Sequence, residues 1–253
     1  MALPLLADES RSQADADSRR SVRDEKSALL VPRPARPAFV PNEPTALRTS
    51  PHVTRWALVR TAVAARVRPS PRARTVARVD TQTPEGTSNI VLVLGTRFNR
   101  AGHLWIHVRL PGFGPPRTGW LPRNALGGYG TVATHLVVNL KSLRATLFRN
   151  GRVIFRADVG IGKRSWPTPR GDFYVRNKLT GFASPMYGPV AFGTSARSSV
   201  LTDWPAGGYV AIHGTDEPNL LPGRVSHGCI RLRNHDVVRL AKLMPVGTPL
   251  TIR

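Results

Sequence analysis

Short apolar segments separated by proline and glycine run along the chain from Val53 onward. The segment LWIHVRL, residues 104–110, alternates so that its leucines, isoleucine and valine fall on one face of an extended chain. This period of two is typical of a half-buried β-strand. The segment NIVLVLG, residues 89–95, predicts a second strand. The pattern therefore predicts a β-rich first half.

The second half of the chain repeats this β-type pattern after Thr131, beginning with THLVVNL. Asn150 and Gly151 lie between two β-prone runs, and an Asn-Gly pair in that position is a strong signal for a two-residue hairpin. The segments GDFYVRN, GGYVAIHGT and GTPLTIR predict three further strands. We expect this half to be mainly β as well.

One late segment, NHDVVRLAKLMPVG, has a helical period instead. Its apolar residues recur at the i, i+3, i+4 and i+7 positions of one helix face: Val237, Leu240, Ala241 and Met244. Asn234 or Asp236 is the expected N-terminal cap, and Pro245 is expected to stop the helix.

The first β-rich region closes on RTGWLPRNALGGYG, where Gly119, Trp120 and Pro122 punctuate a final strand. After several short strands, this ending resembles a bacterial SH3-like domain. Residues 1–52 are rich in Arg, Asp, Ser and Pro, which predicts a disordered arm. We therefore expect three regions: an arm at 1–52, an SH3-like domain at 53–129 and a second domain at 130–253.

The chain of 253 residues carries 37 Lys and Arg against 15 Asp and Glu, a formal net charge of +22. Only five of the basic residues are lysine, and no aromatic-rich basic strand or helix-turn-helix pattern accompanies them. We therefore expect no nucleic-acid partner. The start MALPLLADES predicts no secretory signal, and no apolar run is long enough to predict a transmembrane helix.

The only cysteine, Cys229, lies in RVSHGCIRLRN. A single cysteine excludes an intramolecular disulfide, so the thiol is core filler, a reactive group or a ligand in a mixed metal site. A nucleophilic thiol needs a nearby base. Adjacent residues in a tight turn seldom face one another, so His213 on a neighbouring strand is favoured over His227. The backbone amides of Gly228 and Cys229 are candidate oxyanion donors.

Other motifs stand in order before this stretch. His213 and Gly214 precede SHGCIRL, and TPRGDF stands at residues 168–173. Together these motifs resemble the signature of the L,D-transpeptidase catalytic domain, over about residues 131–253. The resemblance implies a mainly β fold, with an L,D-transpeptidase-type β-sandwich and one or two helices following the SH3-like small barrel.

The resemblance also implies an activity on peptidoglycan. Cys229 would attack a tetrapeptide stem, release D-alanine and pass the acyl group to an amine of another stem, forming a 3-3 type cross-link. His213 would be the proton acceptor and donor, the Gly228 amide part of the oxyanion hole, and the Gly214 carbonyl the group that orients His213. The residues implied to bind substrate are Ser226, His227, Arg231 and Tyr187.

No cofactor or metal is implied by this resemblance, and carbapenems are expected as covalent inhibitors. An extracytoplasmic location, in the cell envelope or cell wall, is also implied. Three alternatives stay open: an L,D-carboxypeptidase that trims stems, a non-catalytic wall-binding protein, and a zinc site that joins Cys229 with nearby histidines. The diamino acid of the donor stem, the acceptor amine and the oligomeric state are not specified by the sequence.

Overall fold

The computed structural model describes residues 53–112, 117–181, 183–201 and 208–253. The predicted disordered arm, residues 1–52, lies outside the described residues. Two β-sheets and one α-helix make up the regular structure of this described part of the chain, apart from short 3₁₀ turns. The mainly β prediction is therefore confirmed. None of its helices is long and apolar enough to cross a membrane.

The first sheet has seven strands, all paired antiparallel, in the order β3-β2-β6-β5-β4-β1-β7. Its strands are β1 Thr54–Val59, β2 Val63–Arg66, β3 Thr75–Val79, β4 Ile90–Phe98, β5 Leu104–Leu110, β6 Arg117–Pro122 and β7 Leu126–Val132. The predicted strand at 104–110 is confirmed as β5, with Ile106, Val108 and Leu110 buried in the core of this sheet. The resemblance of this region to an SH3-like domain stays a prediction.

The second sheet has ten strands in the order β10-β9-β8-β17-β12-β13-β14-β16-β11-β15. Its strands are β8 Thr134–Asn139, β9 Arg144–Arg149, β10 Arg152–Asp158, β11 Gly160–Gly162, β12 Gly171–Thr180, β13 Val190–Arg197, β14 Tyr209–His213, β15 Gly223–Ser226, β16 Ile230–Arg231 and β17 Pro249–Ile252. The predicted hairpin is confirmed: β9 and β10 pair antiparallel around Asn150 and Gly151, both of which have positive φ.

The helix α1, Asn234–Leu243, packs its predicted apolar face against the core of the second sheet. Val237 and Leu240 are fully buried there. The predicted capping is wrong, because Arg233 is the N-cap and makes no side-chain cap hydrogen bond. The Asn234 side chain is used elsewhere: its Oδ1 accepts a hydrogen bond from the amide of Thr215 at 2.9 Å.

The two sheets share a buried interface. Tyr174 of β12 is fully buried, packs with Ile90 and Leu92 of β4, and donates its hydroxyl to the Ile90 carbonyl at 3.0 Å. Arg109 of β5 donates to the carbonyl of Asp172 at 2.7 Å. Apolar burial and hydrogen bonds of this kind stabilise one fixed arrangement of the sheets.

Candidate active site

The backbone pairing of β14 and β16 fixes the position of Cys229. These two strands run parallel, with Ile212 opposite Ile230 and His213 opposite Arg231. Cys229 therefore enters β16 directly beside β14, and its Sγ accepts a hydrogen bond from the Ala211 amide at 3.4 Å. The thiol and His213 are brought together by main-chain hydrogen bonds between neighbouring strands.

The turn before Cys229 is closed by the hydroxyl of Ser226. Ser226 Oγ donates to the Cys229 carbonyl at 2.6 Å and accepts from the Gly228 amide at 3.1 Å. Gly228 has a φ of 118°, a conformation that side chains with a Cβ rarely adopt. Glycine is therefore required at this position for the turn that presents Cys229.

Thr168, in the TPRGDF segment, stabilises the same turn through two hydrogen bonds of its hydroxyl. Its Oγ1 donates to the Gly228 carbonyl at 2.8 Å and accepts from the Gly162 amide at 2.9 Å. Thr168 is buried, so both bonds are shielded from water. This hydroxyl joins β11 to the turn and fixes the orientation of the peptide plane between Gly228 and Cys229.

His213 is buried at the end of β14, with Nδ1 2.6 Å from the Gly214 carbonyl oxygen. A carbonyl oxygen can only accept a hydrogen bond, so Nδ1 carries the proton and Nε2 of the neutral ring is the free acceptor. Burial lowers the pKa of His213 to about 4, an effect partly offset by the Gly214 carbonyl. At neutral pH the ring is therefore uncharged and able to accept a proton.

A close approach of two glycines brings Tyr187 to His213. Gly188 and Gly214 pack against each other and against Asn234 Oδ1, and a Cβ on either glycine would collide with that oxygen. The contact holds the 3₁₀ turn Pro185–Tyr187 over the end of β14. The ring of Tyr187 then lies edge-on to the ring of His213, with centroids 5.1 Å apart.

The electrostatic surroundings of Cys229 keep it as a thiol at rest. Burial raises its pKa above the ordinary value, while the Ala211 amide and the positive charge of Arg231 act in the opposite direction. Arg231 is itself buried and donates Nη1 to Glu217 Oε2 at 2.7 Å. Within the described part of the chain, Arg231 Nε is buried without a hydrogen-bond partner. The guanidinium is therefore only partly satisfied.

A cavity of about 540 Å³ opens over these groups. The residues predicted from the sequence that line it are Cys229, His213, Ser226, His227, Arg231 and Tyr187. Its walls also include Glu85, which lies in the segment between strands β3 and β4 of the first sheet. No group of three or more His, Cys, Asp or Glu side chains is gathered as a metal site within residues 53–112, 117–181, 183–201 and 208–253.

Comparison with known proteins identifies the family. The family model of the L,D-transpeptidase catalytic domain matches residues 133–252. The Bacillus subtilis protein YkuD, named as an L,D-transpeptidase, is 33% identical over 122 residues, which cover 48% of this chain and 67% of that protein. The chain belongs to the L,D-transpeptidase family. Enzymes of this family catalyse acyl transfer.

The chain is also similar to two further proteins. The Escherichia coli K12 protein YbiS, also named as an L,D-transpeptidase, is 52% identical over 137 residues, which cover 47% of this chain and 44% of that protein. A solved structure of the LD transpeptidase LdtMt1 in complex with imipenem has 21% sequence identity and a TM-score of 0.39, covering 80% of this chain and 82% of that one.

The remaining two predicted site residues of this L,D-transpeptidase chain, Gly214 and Gly228, act through their backbone. The Gly214 carbonyl oxygen lies 2.6 Å from His213 Nδ1. The Gly228 amide, the expected oxyanion donor, donates to Ser226 Oγ in this structure. His227 is exposed and packs its ring on Trp166, with centroids 4.3 Å apart.

Sequence reasoning missed three contributors to the site. The motif that contains Thr168 is recognisable in the sequence, but the support that its hydroxyl gives to the turn is not. No role for Trp166 follows from the sequence, because no local pattern identifies it as the partner of His227. Glu85 lies in the segment between β3 and β4, far along the chain from His213 and Cys229, and the packing of β4 against β12 brings this segment to the cavity.

Proposed function

We propose that the protein is a peptidoglycan L,D-transpeptidase in which Cys229 is the nucleophile and His213 the proton acceptor. The observation that carries this proposal is the hydrogen bond from His213 Nδ1 to the Gly214 carbonyl, in the same cavity as Cys229. That bond leaves Nε2 without a proton, which is the form a general base needs.

In the proposed first step, a tetrapeptide stem binds with the carbonyl of its third residue next to Cys229. The thiol transfers its proton to His213 Nε2 while Sγ forms a bond to the carbonyl carbon. The tetrahedral intermediate then collapses to a thioester. The bond to D-alanine breaks, and its amine nitrogen takes the proton from His213.

The negative oxygen of that intermediate requires hydrogen-bond donors. The proposed donors are the backbone amides of Cys229 and Gly228. Because the Gly228 amide donates to Ser226 Oγ at rest, it must exchange this partner for the oxyanion. The bond from Thr168 to the Gly228 carbonyl supports this proposal, since it holds the turn in place while Ser226 is released.

In the second half-reaction an amine of another stem attacks the thioester and gives its proton to His213. The new amide joins two third-position residues, and the thiol of Cys229 is restored. Because this substrate lies in the cell wall, we propose an extracytoplasmic location. A carbapenem is expected to acylate Cys229 by the same attack on its activated cyclic amide.

The other cavity residues are proposed to contact the stem. Tyr187 covers the reacting groups from above His213, and Ser226 and His227 line the approach to the thiol. Arg231 is proposed to bind a carboxylate of the stem. Its Nη1 is already engaged by Glu217, so bidentate binding requires that contact to open.

Incubation with purified muropeptides tests the proposed reaction. Cross-linked dimers and free D-alanine are expected from the wild-type protein, and neither from the Cys229→Ala variant. Formation of tripeptides without dimers would show that the protein hydrolyses the stem and does not transfer the acyl group. Retention of muropeptides without any product would contradict an enzymatic function and favour a wall-binding role.

A further inference from the structure

The segment between β3 and β4, residues 80–89, reaches from the first sheet to the cavity that contains Cys229. It is folded on itself by hydrogen bonds from the Thr83 amide to the Thr87 carbonyl at 2.8 Å and from the Gly86 amide to the Thr83 carbonyl at 2.9 Å. Asn177 of β12 donates Nδ2 to Thr87 Oγ1 at 2.9 Å. The segment is therefore fixed against the second sheet.

In the turn of this segment, the carboxylate of Glu85 accepts hydrogen bonds from two side chains of β12, Arg176 and Asn177. Arg176 Nη2 lies 3.1 Å from Glu85 Oε1 and 3.3 Å from Oε2, and Asn177 Nδ2 lies 3.1 Å from Oε2. The Arg176 side chain is 1% exposed, whereas that of Glu85 is 18% exposed. The carboxylate, and not the guanidinium, is therefore the group presented to the cavity.

The position of Arg176 is itself tightly determined. Its Nε donates to the Thr194 carbonyl at 2.8 Å, and its guanidinium carbon lies 3.7 Å from the ring centroid of Tyr209. A buried arginine of this kind requires a paired anion, because an isolated buried charge is costly. Glu85 supplies that anion, so the carboxylate has a fixed location at the cavity wall.

The carboxylate has capacity for a further ligand. Two carboxylate oxygens offer about four acceptor positions, and the three contacts from Arg176 and Asn177 leave at least one. Among the described residues that line the cavity, Glu85 is the only acidic one. The positive side chain in the same wall, Arg231, is directed to Glu217. The described part of the cavity wall thus has one acidic side chain, which Arg176 contacts from the side away from the cavity.

We propose that Glu85 binds the free side-chain ammonium of the diamino acid in the substrate stem. The inference rests on the proposed function and adds a substrate-binding residue from the segment that connects β3 and β4 of the first sheet. A carboxylate can only accept hydrogen bonds, and it forms its strongest ones with charged donors. The β3–β4 segment thereby contributes to substrate specificity at the active site.

Binding measurements on the full chain test this assignment. Isothermal titration calorimetry in the Cys229→Ala background compares two tetrapeptides that end in D-alanine, one with lysine and one with Nε-acetyl-lysine at the third position. Adding Glu85→Gln is expected to weaken binding of the lysine peptide about tenfold, the size of one charge-assisted hydrogen bond. Binding of the acetylated peptide is expected to stay unchanged.

Equal weakening for both peptides would show that Glu85 only supports the structure, and no weakening would also overturn the proposal. Asp80→Asn is the matched control, because Asp80 belongs to the same segment but pairs with Arg78 in a solvent-exposed salt bridge. If Glu85→Gln does not fold, the affinities of the two peptides for the Cys229→Ala protein are compared. The proposal requires tighter binding of the lysine peptide, and equal affinities would overturn it.

A separate measurement keeps this inference distinct from the proposed reaction. Acylation of Cys229 by a carbapenem is followed by intact mass spectrometry in the wild-type protein and in Glu85→Gln. If the carbapenem acylates both proteins but the two peptides bind with equal affinity, the role of Glu85 is overturned and the proposed reaction is not. Absence of acylation in the wild-type protein contradicts the proposed function itself.

Discussion

His213 Nδ1 lies 2.6 Å from the carbonyl oxygen of Gly214, the next residue in the chain. A backbone carbonyl therefore selects the tautomer of the proposed base, a role that a carboxylate has in serine protease triads. A carbonyl has no full negative charge, so it stabilises an imidazolium less than a carboxylate does. The site therefore favours a neutral histidine and requires a nucleophile that is easily deprotonated. A thiol meets this requirement, and a hydroxyl does not.

We predict that a carbapenem adds one inhibitor mass to the chain, on the peptide that contains residues 226–231. Cys229→Ala is expected to stay unmodified. Cys229→Ser is expected to be nearly inert, because a hydroxyl has a far higher pKa than a thiol. Intact mass spectrometry and peptide mapping measure this result, and a folded wild-type protein that forms no adduct would count against the nucleophile.

Replacing His213 by Ala should slow acylation of Cys229 by a factor on the order of 10² to 10⁴, the usual contribution of a positioned base. His227→Ala should have a smaller effect, because His227 is exposed and packs on Trp166. Stopped-flow acylation by a carbapenem measures both rates. Equal losses in the two variants would show that the base has been misassigned.

The low pKa of His213 predicts a pH-dependent stability. The pKa is about 4 in the folded protein and about 6.5 in the unfolded chain, so between these pH values the unfolded chain binds more protons. The free energy of unfolding should therefore fall as the pH is lowered through this window. The contribution of His213 is about 3 kcal/mol, present above pH 6.5 and lost towards pH 4.

Urea denaturation of the wild-type protein and of His213→Gln at several pH values isolates this contribution. The variant should have a smaller loss of unfolding free energy between pH 7 and pH 4. His103→Gln serves as the control for the same substitution at an exposed histidine. Parallel stability curves for the wild type and His213→Gln would disprove the burial of a neutral ring.

Thr168→Val should impair the turn that presents Cys229, although its side chain keeps the same shape. The change leaves the Gly228 carbonyl and the Gly162 amide without their partner, which costs about 1–3 kcal/mol of unfolding free energy. Acylation should also slow, by less than the factor of about 10² to 10³ that follows the loss of a whole oxyanion donor, because the donor is displaced and not removed. Thr168→Ser should restore both, and failure of serine to do so would exclude the hydroxyl as the cause.

The strands with regular alternation and the helix α1 could be predicted because their periods are local properties of the sequence. The hairpin at Asn150 and Gly151 was predictable for the same reason, since the turn type depends on these two residues. Strand β13, Val190–Arg197, was not predicted. It is buried along nearly its whole length, so its residues do not alternate between apolar and polar.

Candidate site residues could be named from the sequence as far as local motifs identify them. His213, Gly214 and Cys229 follow from chemistry and from motif order. The side chain of Asn234 was expected to cap α1 but binds Thr215, a contact that depends on how β14 and α1 approach each other. The state of the Gly228 amide depends on one rotatable hydroxyl, Ser226 Oγ, which no sequence pattern specifies. Glu85 required knowledge of the packing between the sheets.

The parallel pairing of β14 with β16 has an evolutionary consequence. Parallel neighbours cannot be joined by a tight hairpin, so the chain has to make a crossover between His213 and Cys229. The part of that crossover around the 3₁₀ turn Pro218–Leu220 is largely exposed. Insertions there would leave the strand register, and with it the spacing of thiol and imidazole, unchanged. The length of this crossover can thus diverge while the chemistry of the site is retained.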